Sequence, residues 1–305
     1  MSNKKERCAI ALRPQVHPPQ DIARFAKMLD AEEFSMISNI FIPDIPGSYE
    51  SIEVACASLA QTKRLRIGSG VIRLLEHEIK LLERRLETVQ SISNNRFVLG
   101  IGTGMAGANP SDTISMMMDR LSTIETDFRK IKDSRGIEMP DTYVATLKLG
   151  IARRVAGKST GFLLNFCSPE YAMKLVDQIS KENSVDFSCY LKVFYSKDQR
   201  TANRLLVEEF VKYDSIGPYH KMFEKDGVVE AIEKAKQSLH GKDVSVPDAL
   251  LKISLANPSD GELKSYVKGF RDAGITLPCV YPYFSSDEYD FDYRQSVVRR
   301  IAEAA

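Results

Sequence analysis

Hydrophobic and polar positions follow two alternating rhythms along this chain. Short runs rich in Val, Ile, Leu and Phe recur, and apolar residues spaced three and four apart follow them. The first rhythm marks buried strands and the second marks one face of a helix. Cys8–Leu12 (CAIAL) reads as the first strand, and Ile22, Phe25, Ala26 and Leu29 mark the helix after it. Met36–Ile42, Leu65–Ile72 and Arg96–Ile101 read as strands two to four, with helices over Ser51–Lys63 and Glu78–Ser93 between them. Met105–Pro110 is loop-like. Asp112–Lys132 is helical, and its run Met116-Met117-Met118 suits a core or a subunit contact. Tyr143–Leu147, Phe162–Phe166 and Val185–Tyr195 are strands five to seven, with helices at Ile151–Ala156 and Tyr171–Ser180. Thr201–Leu239 is mostly helical, interrupted at Ser215-Ile216-Gly217-Pro218. Leu263, Tyr266, Val267 and Phe270 mark another helical face, which Gly274 is placed to stop. Leu277–Tyr283 is the eighth strand, and Tyr293–Ala304 closes the chain as a helix.

Strands each followed by a helix imply parallel pairing, because a crossover helix returns the chain in the same direction. A closed barrel and an open doubly wound sheet both satisfy that rule. Eight units in 305 residues favour the barrel, whose typical size is about 250 residues before insertions. The expected architecture is therefore one (β/α)8 TIM-barrel domain over residues 1–305, with insertions after strands four and seven.

The 42 Lys and Arg balance 41 Asp and Glu, which argues against a general nucleic-acid binder. The five cysteines are odd in number and form no CxxC pair, so neither a disulfide framework nor a zinc ribbon is expected. Met1–Arg7 lacks the apolar stretch of a signal peptide. No apolar run approaches the roughly 18 residues of a membrane span. A cytoplasmic protein without membrane contact is expected, acting on a small-molecule substrate and assembling as a dimer or tetramer of itself.

Several strand ends carry candidate chemistry. Gly102-Thr103-Gly104-Met105-Ala106-Gly107 matches G-x-G-x-x-G after a strand. Asn109-Pro110 follows, so no helix can start on the motif as a dinucleotide site requires. The glycines instead suit close approach of backbone to a flat ring, or an ordinary βα turn. Gly68 and Gly70 interrupt an apolar strand, which marks either a ligand approach or small residues filling a barrel. Asp44, after Phe41-Ile42-Pro43, is placed for a site at a strand end, or for a turn before Pro46-Gly47. None of the four histidines falls in H-E-x-x-H, so no metal site is expected. His17 lies just past the first strand, as a candidate acid–base group or a plain loop residue. G-x-S-x-G and P-loop motifs are absent.

Two segments together carry a resemblance. Ser58 to Val71 (SLAQTKRLRIGSGV) is similar to the second-helix and third-strand signature of the luciferase-like family. Ser91 to Gly104 (SISNNRFVLGIGTG) is similar to its fourth-strand signature, and Tyr143–Asn165 resembles its fifth and sixth strands. The resemblance implies a (β/α)8 barrel that holds FMN or coenzyme F420, in a monooxygenase or in a reductase like methylenetetrahydromethanopterin reductase. It implies a cis peptide at Gly70-Val71, and ring contacts from Asp44, Gly70, Val71, Gly102, Thr103 and Gly104. Thr146, Lys148 and Gly150 fall where the family's fifth-strand loop nears the cofactor. The chain also departs from the family. Ile45 stands where a histidine usually follows the aspartate, Ala11 where a first-strand glutamate is common, and Thr160 where an aspartate precedes glycine. With Asp44 and His17 as its candidate catalytic groups, the chain reads as a hydride-transferring oxidoreductase acting on a small organic or pterin-type substrate. An FMN-dependent monooxygenase is the alternative, and a non-catalytic flavin-binding or structural member is a further one.

Overall fold

The computed structural model describes residues 7–104, 110–155, 157–179, 185–241, 243–285 and 289–305. Met105, Ala106, Gly107 and Asn109 of the glycine motif and its loop lie outside the described residues. Eight parallel strands form the barrel: β1 (Cys8–Ala11), β2 (Ile37–Ile42), β3 (Arg66–Ser69), β4 (Phe97–Gly102), β5 (Asp141–Ala145), β6 (Gly161–Asn165), β7 (Asp186–Tyr195) and β8 (Leu277–Phe284). Each pairs with the next. The ring closes where β8 pairs with β1 through Ala9↔Cys279 and Ile10↔Val280. All eight expected strands are present, and the barrel, not the open sheet, is the fold.

The helices α1 (Pro19–Leu29), α2 (Ser51–Leu59), α3 (Ile79–Ser93), α4 (Pro110–Arg135), α5 (Leu149–Val155) and α6 (Pro169–Ile179) follow the first six strands. The segment after β7 holds α7 (Gln199–Asp214), α8 (Gly217–Asp226), α9 (Val229–Ser238), α10 (Asp248–Leu251) and α11 (Asp260–Asp272), and α12 (Phe291–Ala304) follows β8. The 26-residue α4 and the α7–α11 segment are the expected insertions. Local sequence explains the helix limits. Glu78 accepts from the backbone of Lys80 and Leu81 at the start of α3, and left-handed Asn94 ends it. Ser259 and Glu262 form a capping box at α11, which Gly274 follows at φ +89°. Met117 and Met118 are buried, while Met116 is exposed.

The amino-terminal ends of the strands are tied by side chains onto backbone. Asp30 accepts from the amides of Lys63, Arg64 and Leu65. Arg64 donates to the carbonyls of Leu29 and Ile37 at 2.6 Å each. Arg96 donates to those of Leu59, Thr62 and Leu65. The carbonyls of Leu29, Leu59 and Thr62 are those left over where α1 and α2 end. Both arginines lie in the segments that carry the family resemblance, but at the end of the barrel opposite the site described below.

Strand β3 stops at Ser69, and the chain resumes pairing with β4 at Ile72 and Arg73. The Gly70–Val71 peptide bond between them is cis, as the resemblance implies. Around it, β3 and β4 approach too closely for side chains. A Cβ on Gly68 would lie 1.9 Å from the Val98 carbonyl oxygen, and one on Gly100 would lie 2.2 Å from that of Ser69. These are backbone atoms, which no rotamer change can move aside. Gly68→Ala should therefore cost about 3 kcal/mol or more of stability, read by urea unfolding. A loss below about 1 kcal/mol would show that the strands can part freely.

Candidate active site

The carboxyl-terminal mouth of the barrel opens into a cavity of about 630 Å³. Active sites of this fold form there, from the loops that follow the strands. Of the residues expected from sequence, Asp44, Gly70, Val71, Gly102, Thr103, Gly104, Thr146 and Lys148 all line it. Gly150 does not. It sits exposed in the first turn of α5.

Each of these residues has a local cause. Gly70 faces the barrel axis, and a Cβ there would meet the Tyr190 hydroxyl at 1.8 Å and Phe41 at 3.1 Å. That hydroxyl donates to the Gly70 carbonyl oxygen at 2.8 Å, which fixes the peptide plane. Ser69 Oγ locks the neighbouring strand by donating to the Gly100 carbonyl at 3.0 Å. Gly104 takes φ +74°, a left-handed conformation that favours glycine. Thr146 Oγ1 accepts from the Lys148 amide and so shapes the loop after β5. Gly70, Gly102 and Gly104 thus present bare main chain along one wall.

Asp44 stands at the end of β2 with its side chain 12% exposed, and Arg73 Nη2 approaches its Oδ2 at 3.6 Å. Burial pushes the Asp44 carboxyl above its ordinary range, and the Arg73 charge opposes that shift. Arg73 also pairs with Glu76 at 2.7 Å. Arg13, just past β1, adds a further cation to the lining.

His17 is a correction. It does not reach the cavity. Its ring is fully buried between Phe25 and Phe284, edge-on to both at 5.3 and 5.4 Å. Neither ring nitrogen has a hydrogen-bond partner among the described residues. Burial, aided by the nearby Arg294 charge, pushes its pKa from 6.5 down to about 3. The side chain is a neutral core element and has no contact with the site.

Sequence reading missed the opposite wall. Tyr190, Tyr213, Tyr219, Tyr281 and Tyr283 line it, together with Asn165 and Glu209. Tyr281 and Tyr283 were detectable as a period-two pair on the last strand. Lys192, a charge in the middle of a mostly apolar strand, was a further signal. Glu209 had none, because it arrives from α7 in the second insertion.

The comparisons agree with the resemblance over the first third of the chain. Residues 8–111 match the family model of luciferase-like monooxygenases. The 4-hydroxyprotoasukamycin monooxygenase of Streptomyces nodosus subsp. asukaensis is 24% identical over 163 residues. That match covers 45% of this chain and 44% of the relative, so the chain aligns with less than half of its length. Among solved structures, the coenzyme F420-dependent tetrahydromethanopterin reductase of Methanopyrus kandleri superposes with a TM-score of 0.68 at 14% identity. The alignment covers 98% of each chain. The oxygenating constituent of 3,6-diketocamphane monooxygenase from Pseudomonas putida, in complex with FMN, gives 0.66 at 13% identity, again over 98% of each chain. The fold is that of these flavin- and F420-type enzymes. Among the described residues no group of His, Cys, Asp and Glu is arranged to hold a metal. No described helix is long and apolar enough to cross a membrane.

The burial of His17 has a consequence for acid stability. Its folded-state pKa lies below the unfolded value, so its full contribution is present above pH 6.5. That contribution falls as the pH drops from 6.5 toward 3, because only the unfolded chain takes up the proton. Its full loss is on the order of 4–5 kcal/mol. His17→Leu should flatten the stability–pH curve over that window. An acid limb of unchanged slope would place the titrating group elsewhere.

Proposed function

We propose that the chain is an oxidoreductase that binds coenzyme F420 or FMN in the barrel mouth and acts on a small organic substrate. The single observation that carries this reading is the glycine-lined wall at Gly70, Gly102 and Gly104, which shares one cavity with Asp44. A planar ring needs a flat surface without side chains, and bare peptide provides it. The residues present fit such a group, since Gly70, Gly102 and Gly104 add no side chain to the lining they share with Asp44, Thr103 and Thr146.

When bound, the cofactor supplies the two-electron step, and the protein supplies binding, orientation and electrostatics. In this reading Tyr190 holds the Gly70 carbonyl in place, so the wall is rigid before anything binds. Asp44 and Arg73 form a polar pair at one edge, able to accept and donate to a ring's polar rim. Thr103 and Thr146 add hydroxyls beside the glycines. Lys148, exposed at the rim, is placed to meet a phosphate. Ile114, Leu147 and Ile151 line the mouth from the loops and helices outside the barrel and restrict water.

Oxygen insertion is the second reading. The family matched over residues 8–111 and the Streptomyces relative favour it, whereas the full-length likeness to the Methanopyrus reductase favours hydride transfer.

Titration of the purified protein with F420 and with FMN, oxidised and reduced, followed by fluorescence and absorbance, tests the reading. Micromolar or tighter binding of one of them is expected. Asp44→Ala should weaken it by about tenfold, which corresponds to roughly 1.4 kcal/mol. Absence of binding to both cofactors would refute the proposal, and an unchanged affinity in Asp44→Ala would move the site away from β2. Oxygen uptake with the reduced cofactor separates the two readings.

A further inference from the structure

The wall opposite the glycines carries a buried charge pair with an unusual exposure. Lys192 is a fully buried residue of β7. Its Nζ donates to Glu209 Oε1 at 2.7 Å and otherwise faces aromatic rings: Tyr213 at 3.6 Å, Phe166 at 4.3 Å and Tyr283 at 5.1 Å from the centroids. Glu209 Oε1 also accepts from the Tyr283 hydroxyl at 2.8 Å. Glu209 lines the cavity and Lys192 does not. The ammonium is therefore sealed behind rings while the carboxylate meets the open space.

Desolvating such a pair is costly, and apolar residues of similar volume would fill the space at less cost. Glu209 nevertheless stays ionised. Burial raises its pKa, but the Lys192 and Lys212 charges and the hydrogen bonds from Lys192 and Tyr283 bring it below its ordinary value. Oε1 is occupied by two donors. Oε2 has no hydrogen bond among the described residues, and Lys212 Nζ, on a side chain 61% exposed, approaches it only to 3.9 Å. An ionised oxygen with spare lone pairs is a strong acceptor. Asn165 is incomplete on the same side. One of its polar atoms meets the Tyr219 hydroxyl at 2.7 Å, and the other is buried without a partner among the described residues. Between them lie tyrosine rings, with Tyr213 and Tyr219 4.5 Å apart and edge-on, and Tyr281 and Tyr283 4.5 Å apart and tilted. Rings so arranged offer faces and edges to a further aromatic ring.

We propose that this wall is a subsite for a hydroxylated aromatic substrate, whose phenolic hydroxyl donates to Glu209 while its ring packs against Tyr213, Tyr219 and Tyr283. Lys192 and Tyr283 are positioning residues, because they hold the carboxylate through Oε1 and leave Oε2 for the ligand. The proposal deepens the oxidoreductase reading and relies on it only for the cavity being the active site.

The test uses the full chain without added cofactor and 4-nitrophenol as the probe, because its phenol and phenolate forms absorb differently. A donor to Glu209 must keep its proton, so the bound probe should be the neutral phenol, and the phenolate band should fall on titration. The Lys192→Met/Glu209→Gln double variant removes both charges together and leaves no lone ion buried. With folding verified by circular dichroism, it should bind the probe at least tenfold more weakly. Tyr283→Phe should weaken binding severalfold and shift the bound probe toward the phenolate. A probe bound to the native protein as phenolate would place it on Arg13 or Lys212 and overturn the proposal with no variant needed. Equal affinity in the native and double-variant proteins, or no binding at millimolar probe, would overturn it too. Cofactor titrations on the same preparations are read separately, so a protein that binds 4-nitrophenol as described but neither F420 nor FMN would refute the proposed function alone.

Discussion

The close approach of β3 and β4 governs this molecule. Side chains are excluded at Gly68 and Gly100 because each faces a carbonyl oxygen of the neighbouring strand. That contact brings Gly70 and Gly102 to the same rim, and it frees the volume that Phe41, Tyr143 and Tyr190 occupy from other strands. The site follows from this mismatch in side-chain size across the barrel. Small residues on one side leave bare peptide at the mouth. Large ones on the strands beside and across from it fill the centre, and Tyr190 braces the wall most directly, through its hydroxyl on the Gly70 carbonyl.

The two ends of the barrel divide their tasks. At the amino-terminal end, Asp30, Arg64 and Arg96 spend their hydrogen bonds on backbone groups of the turns. At the carboxyl-terminal end, Asp44, Arg73 and Glu209 meet one another or a neighbour while still lining open space. Charge type alone could not tell these roles apart, since arginines serve both ends. What distinguishes them is whether the partner is a fixed carbonyl or a cavity.

His17 and Glu209 show the limits of reading a site from chain position. His17 follows a strand, as a site residue would, but the chain after β1 turns it inward against Phe25 and Phe284. Glu209 lies on a helix far along the chain, in a stretch with no motif. It reaches the mouth only because α7 packs across the ends of β7 and β8, where Lys192 and Tyr283 receive its carboxylate. Gly150 lies off the cavity for a lesser reason: α5 begins at Leu149 and carries it out to solvent.

The sequence by itself determined the eight strands, their parallel order and the glycine wall. Those features rest on local periodicity and on residues that lack a Cβ, and both can be read without knowing what lies across the barrel. It also put Asp44 at the barrel mouth, because a residue at the end of a barrel strand has few other places to go. Tertiary structure alone decided the second wall. Ring stacking around Lys192 and the presentation of Glu209 depend on contacts between residues far apart in the chain, and no short-range pattern encodes a distance of that kind.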